Sequence, residues 1–330
     1  MVMSKLVDRI KSRVNYWFFR EYRFRRIVRR HLDCFYNDTD PEPPARKTIV
    51  YMADGRRLHG GLADRLRGIV SAYSICKEQG WQFRINFSSP FRLERYLVPA
   101  SYDWLLKEGE LSYNRQWSHA VFQDTRGDVG EREKRWQRRT ALKQFSLPFR
   151  QIHVYTAFYH AEDRFGDLFN ELFRPAPDLQ RALDQVIEQC GPGFVSVTTR
   201  FCELLGDFKE PVRGRDVLPD ADAECLIESL LAEIQRLHHR KQVSILVTSD
   251  SKKFLERVKN LDYCVVIPGE ISHIDNGEPN EDADFKTFLD FMAISKASES
   301  YFLLGPGMYN GNFAKRASAA GRHPYIIKKL

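Results

Sequence analysis

Three stretches of this 330-residue chain have the residue types to hold a phosphate-bearing ligand. In Gly60-Gly-Leu-Ala-Asp-Arg-Leu-Arg67, two glycines fall where a strand should turn into a helix. Their missing side chains let backbone N–H groups approach an anion closely, and a helix start adds about half a positive charge. Arg200 stands just past the apolar run Phe194–Thr198, where a planar guanidinium can take two phosphate oxygens at once. Leu304-Gly-Pro-Gly-Met-Tyr-Asn-Gly-Asn-Phe-Ala314 offers backbone donors at Gly305, Gly307 and Gly311 before a helical stretch, with Asn310 and Asn312 as side-chain donors. Each stretch also has an ordinary reading as a turn, a cap or a surface ion pair. The first loop matches neither G-x-G-x-x-G nor G-x-x-x-x-G-K-[ST], so it supports neither a dinucleotide cofactor nor a P-loop NTPase.

The elements that must position these residues alternate. Lys47–Met52 reads as a buried strand, the glycine loop leads into a helix carrying Ile69, Ala72, Tyr73 and Cys76, Gly80 stops it, and Trp81–Phe87 is the next strand. Strand, loop, helix, strand is a βαβ unit, with ligands expected at the carboxyl ends of its strands. Residues 126–144 show no clear period and are expected as a surface loop or solvated helix, and Gln151–Tyr155 as a strand. A second series begins at Asp178, with strands at 194–198, 243–248, 263–267 and 300–304 and helices at 178–189, 221–239, 251–259, 285–296 and 313–320. The fold class is therefore α/β, with two Rossmann-like parallel sheets. The expected domains are an extension and linker over 1–45, a first domain over 46–173 and a second over 174–330.

These segments together resemble the GT-B fucosyltransferases of the α1,2-, α1,6- and protein-O-fucosyltransferase superfamily, including the rhizobial nodulation-factor enzyme. The resemblance rests on the Gly60–Arg67 loop, on Thr198-Thr-Arg-Phe-Cys-Glu-Leu-Leu-Gly-Asp207, and on Thr248-Ser-Asp250 with Asp290-Phe-Met-Ala-Ile-Ser-Lys-Ala297. It implies two Rossmann-like domains facing a cleft and metal-independent, inverting transfer of fucose from GDP-fucose to a glycan hydroxyl. It places Arg200 on the β-phosphate, and Asp250 and Asp290 near the base and ribose, where a carboxylate accepts from guanine N–H groups and sugar hydroxyls. Gly60, Gly61, Arg65, Asp207, Gly307, Asn310 and Asn312 complete the expected donor set. Thr198 stands where the family usually has His, Gly206-Asp207 comes later than usual, and the 304–314 loop replaces a serine-rich one. Asp64, Asp54 and Glu203 are carboxylates near these loops, and Asp64 is the expected general base. No Asp-x-Asp stands at a strand end, so no metal and no cofactor is expected. The alternatives are a transferase for another nucleotide sugar, a GT-B-like scaffold that binds a nucleotide or glycan without turnover, and an RNA- or phosphoinositide-binding protein.

Charge bears on the last of these. Residues 1–31 hold ten Lys and Arg against Asp8 and Glu21, a net +8, which leaves residues 32–330 at −1. A nucleic-acid reader usually carries its basic footprint on the folded body, so nucleic acid is not the expected partner. Apolar residues recur every three to four positions from Leu6 to Val28, with arginines between them, before Asn37-Asp-Thr-Asp-Pro-Glu-Pro-Pro44 ends the helix. This basic amphipathic extension either docks on an anionic membrane surface, where a lipid-linked oligosaccharide acceptor would wait, or lays its apolar stripe on the second domain. Six cysteines without a C-x-x-C pair, no apolar leader and no run of about 18 apolar residues point to a reduced, cytoplasmic protein, peripheral at most to the inner face of a membrane.

Overall fold

The structure, a computed structural model, describes residues 23–57, 59–123, 130–158, 160–208, 216–271, 274 and 280–330. Most of the basic extension, residues 1–22, lies outside the described residues. The contacts divide the chain into two compact units. Unit 1 takes the described residues up to His59, then Arg65–Phe87 and Trp104–Glu162, and unit 2 takes Gly60–Asp64, Ser88–Asp103 and Asp163–Leu330. Residues 60–64, 88–103 and 163–173, placed in the first domain from the linear sequence, count with unit 2.

Unit 1 is built on a four-stranded, all-parallel sheet of β1 (Thr48–Ala53), β2 (Gln82–Phe87), β4 (Ser118–Gln123) and β5 (Gln151–Thr156), in the order β2-β1-β5-β4. All six residues of β1 are buried, as befits a parallel strand covered on both faces. Helix α2 (Leu62–Gln79) joins β1 to β2, and α3 (Glu131–Phe145) precedes β5. The helical alternative for the 126–144 stretch is thus realised from Glu131 on, because Gln137, Ala141 and Phe145 form a buried stripe. Helix α2 lies very close to the sheet. A Cβ on Gly68 would stand 2.5 Å from the Thr156 carbonyl oxygen and 3.1 Å from the Tyr51 ring, which only glycine avoids.

Helix α1 (Arg23–Asp33) covers the other face. Its Val28 and Leu32, with Tyr36, pack among Val50, Met52, Ala120 and Tyr155. The Tyr36 hydroxyl lies 2.6 Å from His153 Nδ1, and burial lowers the pKa of that imidazole to about 3, so it stays neutral. The described part of the apolar stripe therefore packs on the first sheet rather than on the second domain. The linker leads straight into β1, which makes that sheet the nearest apolar face, and a bridge from Asn37 to Asn114 fixes the approach.

Unit 2 contains a five-stranded parallel sheet, β7 (Val195–Thr198), β8 (Ile245–Thr248), β9 (Cys264–Val265), β10 (Ser300–Leu304) and β11 (Tyr325–Lys329), ordered β11-β10-β7-β8-β9. The fifth strand, β11, was not expected, since Ile326, Ile327 and two lysines give an edge strand no apolar alternation. Two short strands, β3 (Leu97–Pro99) and β6 (Phe173–Pro175), pair antiparallel in a separate two-stranded sheet. One face of the main sheet is covered by α6 (Asp220–Lys241) and α7 (Lys252–Val258), which bury Leu230, Ile234, Leu237 and Phe254 against Val197, Ile245 and Leu303. The remaining helices are α4 (Phe165–Leu172), α5 (Pro177–Cys190), α8 (Glu281–Ile294) and α9 (Phe313–Gly321). They pack on one another through buried aromatics such as Phe169, Phe291 and Phe313. The Asn280 side chain caps α8 by accepting from the Ala283 N–H.

Candidate functional site

Unit 2 holds a cavity of about 370 Å³ at the carboxyl ends of β7 and β8. Parallel α/β sheets place ligands at this edge, because the loops after the strands converge there with helix N-termini behind them. Two helices begin at its wall, α2 through Gly60–Asp64 and α9 through Asn312–Ala314. The rest is lined by Thr198, Thr199, Arg200 and Cys202 after β7, by Thr248, Ser249 and Asp250 after β8, by Thr287 and Asp290 of α8, and by Tyr309 and Gly311.

Of the residues singled out from the sequence, Gly60, Gly61, Asp64, Arg200, Asp250, Asp290 and Asn312 line this one cavity. Gly60 has φ +83°, and a Cβ there would meet Asp64 Oδ2 at 2.7 Å, so the turn into α2 requires a glycine. Arg65, Asp207, Gly307 and Asn310 are not among the lining residues. The Arg65 guanidinium is buried over the Phe87 ring, 5.0 Å from its centroid. Asp207 Oδ2 accepts from Ser251 Oγ and from the Lys253 N–H, both at 2.8 Å, which places it at the start of α7. Gly307 and Asn310 are exposed on the loop before α9. Asp54, another of the carboxylates near these loops, accepts from the Tyr155 hydroxyl at 3.0 Å.

The two cavity aspartates are held differently. Asp250 Oδ1 accepts from the Phe201 N–H and Oδ2 from the Cys202 N–H, each at 2.8 Å. Burial raises its pKa to about 6, against the opposing pull of those amides and of Arg200. The helix that carries Asp290 starts earlier than the 285–296 expected from the sequence. α8 starts at Glu281, because Asn280 caps it one turn before Phe285, where apolar periodicity takes over. Asp290 thus stands in the helix interior, paired one turn away with Lys286. Burial pushes its pKa up, and Lys286 pulls it back.

Sequence reasoning missed two residues here. Tyr309 donates its N–H to the Arg200 carbonyl at 3.1 Å, and its ring centroid lies 5.4 Å from the guanidinium carbon. Lys286 was findable, being four residues before Asp290 on a helical stretch, the spacing that brings side chains together. Tyr309 had no such signal, since a loop tyrosine carries no period.

A strand-end arginine with two helix N-termini around one cavity can neutralise a diphosphate, and the neighbouring carboxylates can accept from polar N–H and O–H groups. The fold is that of the GT-B fucosyltransferases. A crystal structure of NodZ α-1,6-fucosyltransferase co-crystallised with GDP matches with a TM-score of 0.53 and 12% identity, over 83% of this chain and 92% of that one. A mutant of Arabidopsis thaliana FUT1 in complex with GDP matches at 0.51 and 13% identity, over 92% of this chain and 74% of that one. The apo form of POFUT1 matches at 0.51 and 11% identity, over 87% and 99% of the two chains. No protein-family model and no curated protein sequence matches the chain.

Proposed function

We propose that the protein is a glycosyltransferase that takes a sugar, fucose, from GDP-fucose to a hydroxyl of a glycan or lipid-linked oligosaccharide. The observation that carries this reading is the placement of Arg200, Asp64, Asp250 and Asp290 around one cavity in a fold similar to enzymes solved with GDP and GDP-fucose. In the displacement, the acceptor oxygen forms a bond to C1 of the sugar as the bond from C1 to the phosphate oxygen breaks. The acceptor proton passes to a carboxylate, for which Asp64 at the cavity wall is the candidate. The charge that develops on the departing diphosphate is met by the Arg200 guanidinium and the amide ends of α2 and α9, without a metal ion in that role. Attack opposite the leaving group inverts the anomeric centre. On this reading Asp290, at the cavity wall, is the candidate to accept from the N–H edge of a guanine base with its remaining lone pairs.

The same reading puts the enzyme in the cytoplasm at an anionic membrane surface, in polysaccharide biosynthesis. It is supported by the net +8 of residues 1–31 and by Arg26 and Arg30, which are exposed on α1 opposite the stripe that packs on the sheet. Each such charge is worth about 1 kcal/mol at an anionic surface. A second reading, a nucleotide-binding scaffold without turnover, draws on the Lys286 ammonium, which engages both oxygens of Asp290. A thermal-shift screen against GDP, UDP, CMP and their sugars tests the first step. Stabilisation by GDP and GDP-fucose is expected, and release of GDP from the sugar nucleotide separates the enzyme from the scaffold.

A further inference from the structure

Resting on the reading of Arg200 as the diphosphate ligand, we infer that Asp250 is a positioning residue for Arg200, acting through the backbone of the turn that carries it. The turn after β7 leaves the sheet in a conformation that its own residues do not favour. Cys202 has φ +55°, the left-handed region that a non-glycine residue occupies at a cost. Hydrogen bonds from the neighbouring turn hold it there.

Thr199 donates its N–H to the Thr248 carbonyl at 3.1 Å and its hydroxyl to Ser249 Oγ at 2.9 Å. Phe201 and Cys202, the two residues after Arg200, donate to the two oxygens of Asp250. The Arg200 carbonyl takes the Tyr309 N–H on the remaining side. The backbone is thus tied on both sides of Arg200, and the two amides beyond it are tied by a single charged group. A carboxylate with both oxygens turned to backbone amides sets where a side chain between those ties can point. Charge-assisted bonds to backbone N–H groups are about twice as strong as neutral ones, which suits a tie that must hold a strained residue.

This role differs from the nucleoside contact that the resemblance assigns to Asp250, and a double-mutant cycle separates the two. GDP and guanosine affinities are measured by calorimetry for the wild type, Asp250→Asn, Arg200→Ala and the double variant, with melting temperatures recorded for each. Asparagine keeps the shape and gives up the second acceptor. A positioning role has Asp250→Asn weaken GDP about tenfold when Arg200 is present and less than twofold when it is absent, with guanosine affinity unchanged. An equal loss in both backgrounds, or an equal loss for guanosine, overturns the proposal. A second readout does not depend on the ligand. Amide exchange over residues 199–202 should quicken about tenfold in Asp250→Asn, and unchanged exchange overturns the tie itself. If the wild type binds no GDP but that exchange quickens, the assigned ligand is wrong and Asp250 still orders the turn.

Discussion

The Lys286 ammonium lies 2.7 Å from one Asp290 oxygen and 3.0 Å from the other, and both side chains are largely buried, Asp290 at the cavity wall. A buried pair of this kind stands because neither charge is left alone. Lys286→Met should therefore cost on the order of 3 kcal/mol, by stranding the Asp290 carboxylate. Adding Asp290→Asn to Lys286→Met should return most of that loss, because it removes the stranded charge. Urea denaturation of the three variants checks this, and simple additivity of the two changes would count against the coupling.

Asp250 yields a pH dependence whose sign follows from burial. Its folded pKa, about 6, is above the usual value of 3.8, so the folded state binds the proton more tightly than the unfolded chain does. The stability this group contributes is fully present below pH 3.8 and is lost as pH rises to about 6. Between pH 4 and pH 7 the change amounts to roughly 2 kcal/mol. Asp250→Asn has no proton to lose, so its stability relative to wild type should rise by that amount between pH 4 and pH 7. Chemical denaturation at several pH values reads the difference, in which contributions from all other groups cancel.

Transfer from the donor should persist in excess EDTA, since Arg200 and the helix ends are given the charge that a metal would otherwise carry. Loss of turnover on chelation, restored by Mg²⁺ or Mn²⁺, would assign that charge to a metal ion instead.

On the proposed reading, helix α1 has a packing face and a membrane face. Leu32 is 1% exposed beneath it, so Leu32→Ala should cost about 2–4 kcal/mol of stability. Replacing Arg26 and Arg30, both on the outer face, with glutamate should leave the melting temperature nearly unchanged yet abolish sedimentation with anionic vesicles at low salt. Vesicle binding that survives this reversal would place the membrane contact elsewhere.

The parts of the fold that were legible in the sequence are those where burial imposes a pattern. The short buried runs of β1, β7 and β10 and the stop at Gly80 read directly, because a parallel strand covered on both faces is mostly apolar or carries small hydroxyl residues that can be satisfied inside. β4, with His119 and Gln123 among its six residues, and the edge strand β11 carry no such run and were missed. At the site, Gly60, Arg200 and Asp250 were visible because strand ends and helix starts can be counted along the chain. Asp207 was placed in the donor set for the same reason, since Gly-Asp after a strand reads alike whether the carboxylate faces a ligand or, as here, the first turn of α7. The partnership of Asp250 with the amides of Phe201 and Cys202 spans almost fifty residues, and only the adjacency of β7 and β8 brings them together.

Release of GDP from GDP-fucose, followed in parallel for the wild type and Arg200→Ala, tests the assignment of the cavity most directly. Slow hydrolysis is expected from the wild type even without acceptor. In the variant it should fall by about 10²–10³-fold with the fold intact, the scale for removing one preorganised charge-stabilising group. Equal rates in the two proteins would remove Arg200 from the chemistry, and no release by the wild type would contradict the assignment of the cavity to this donor.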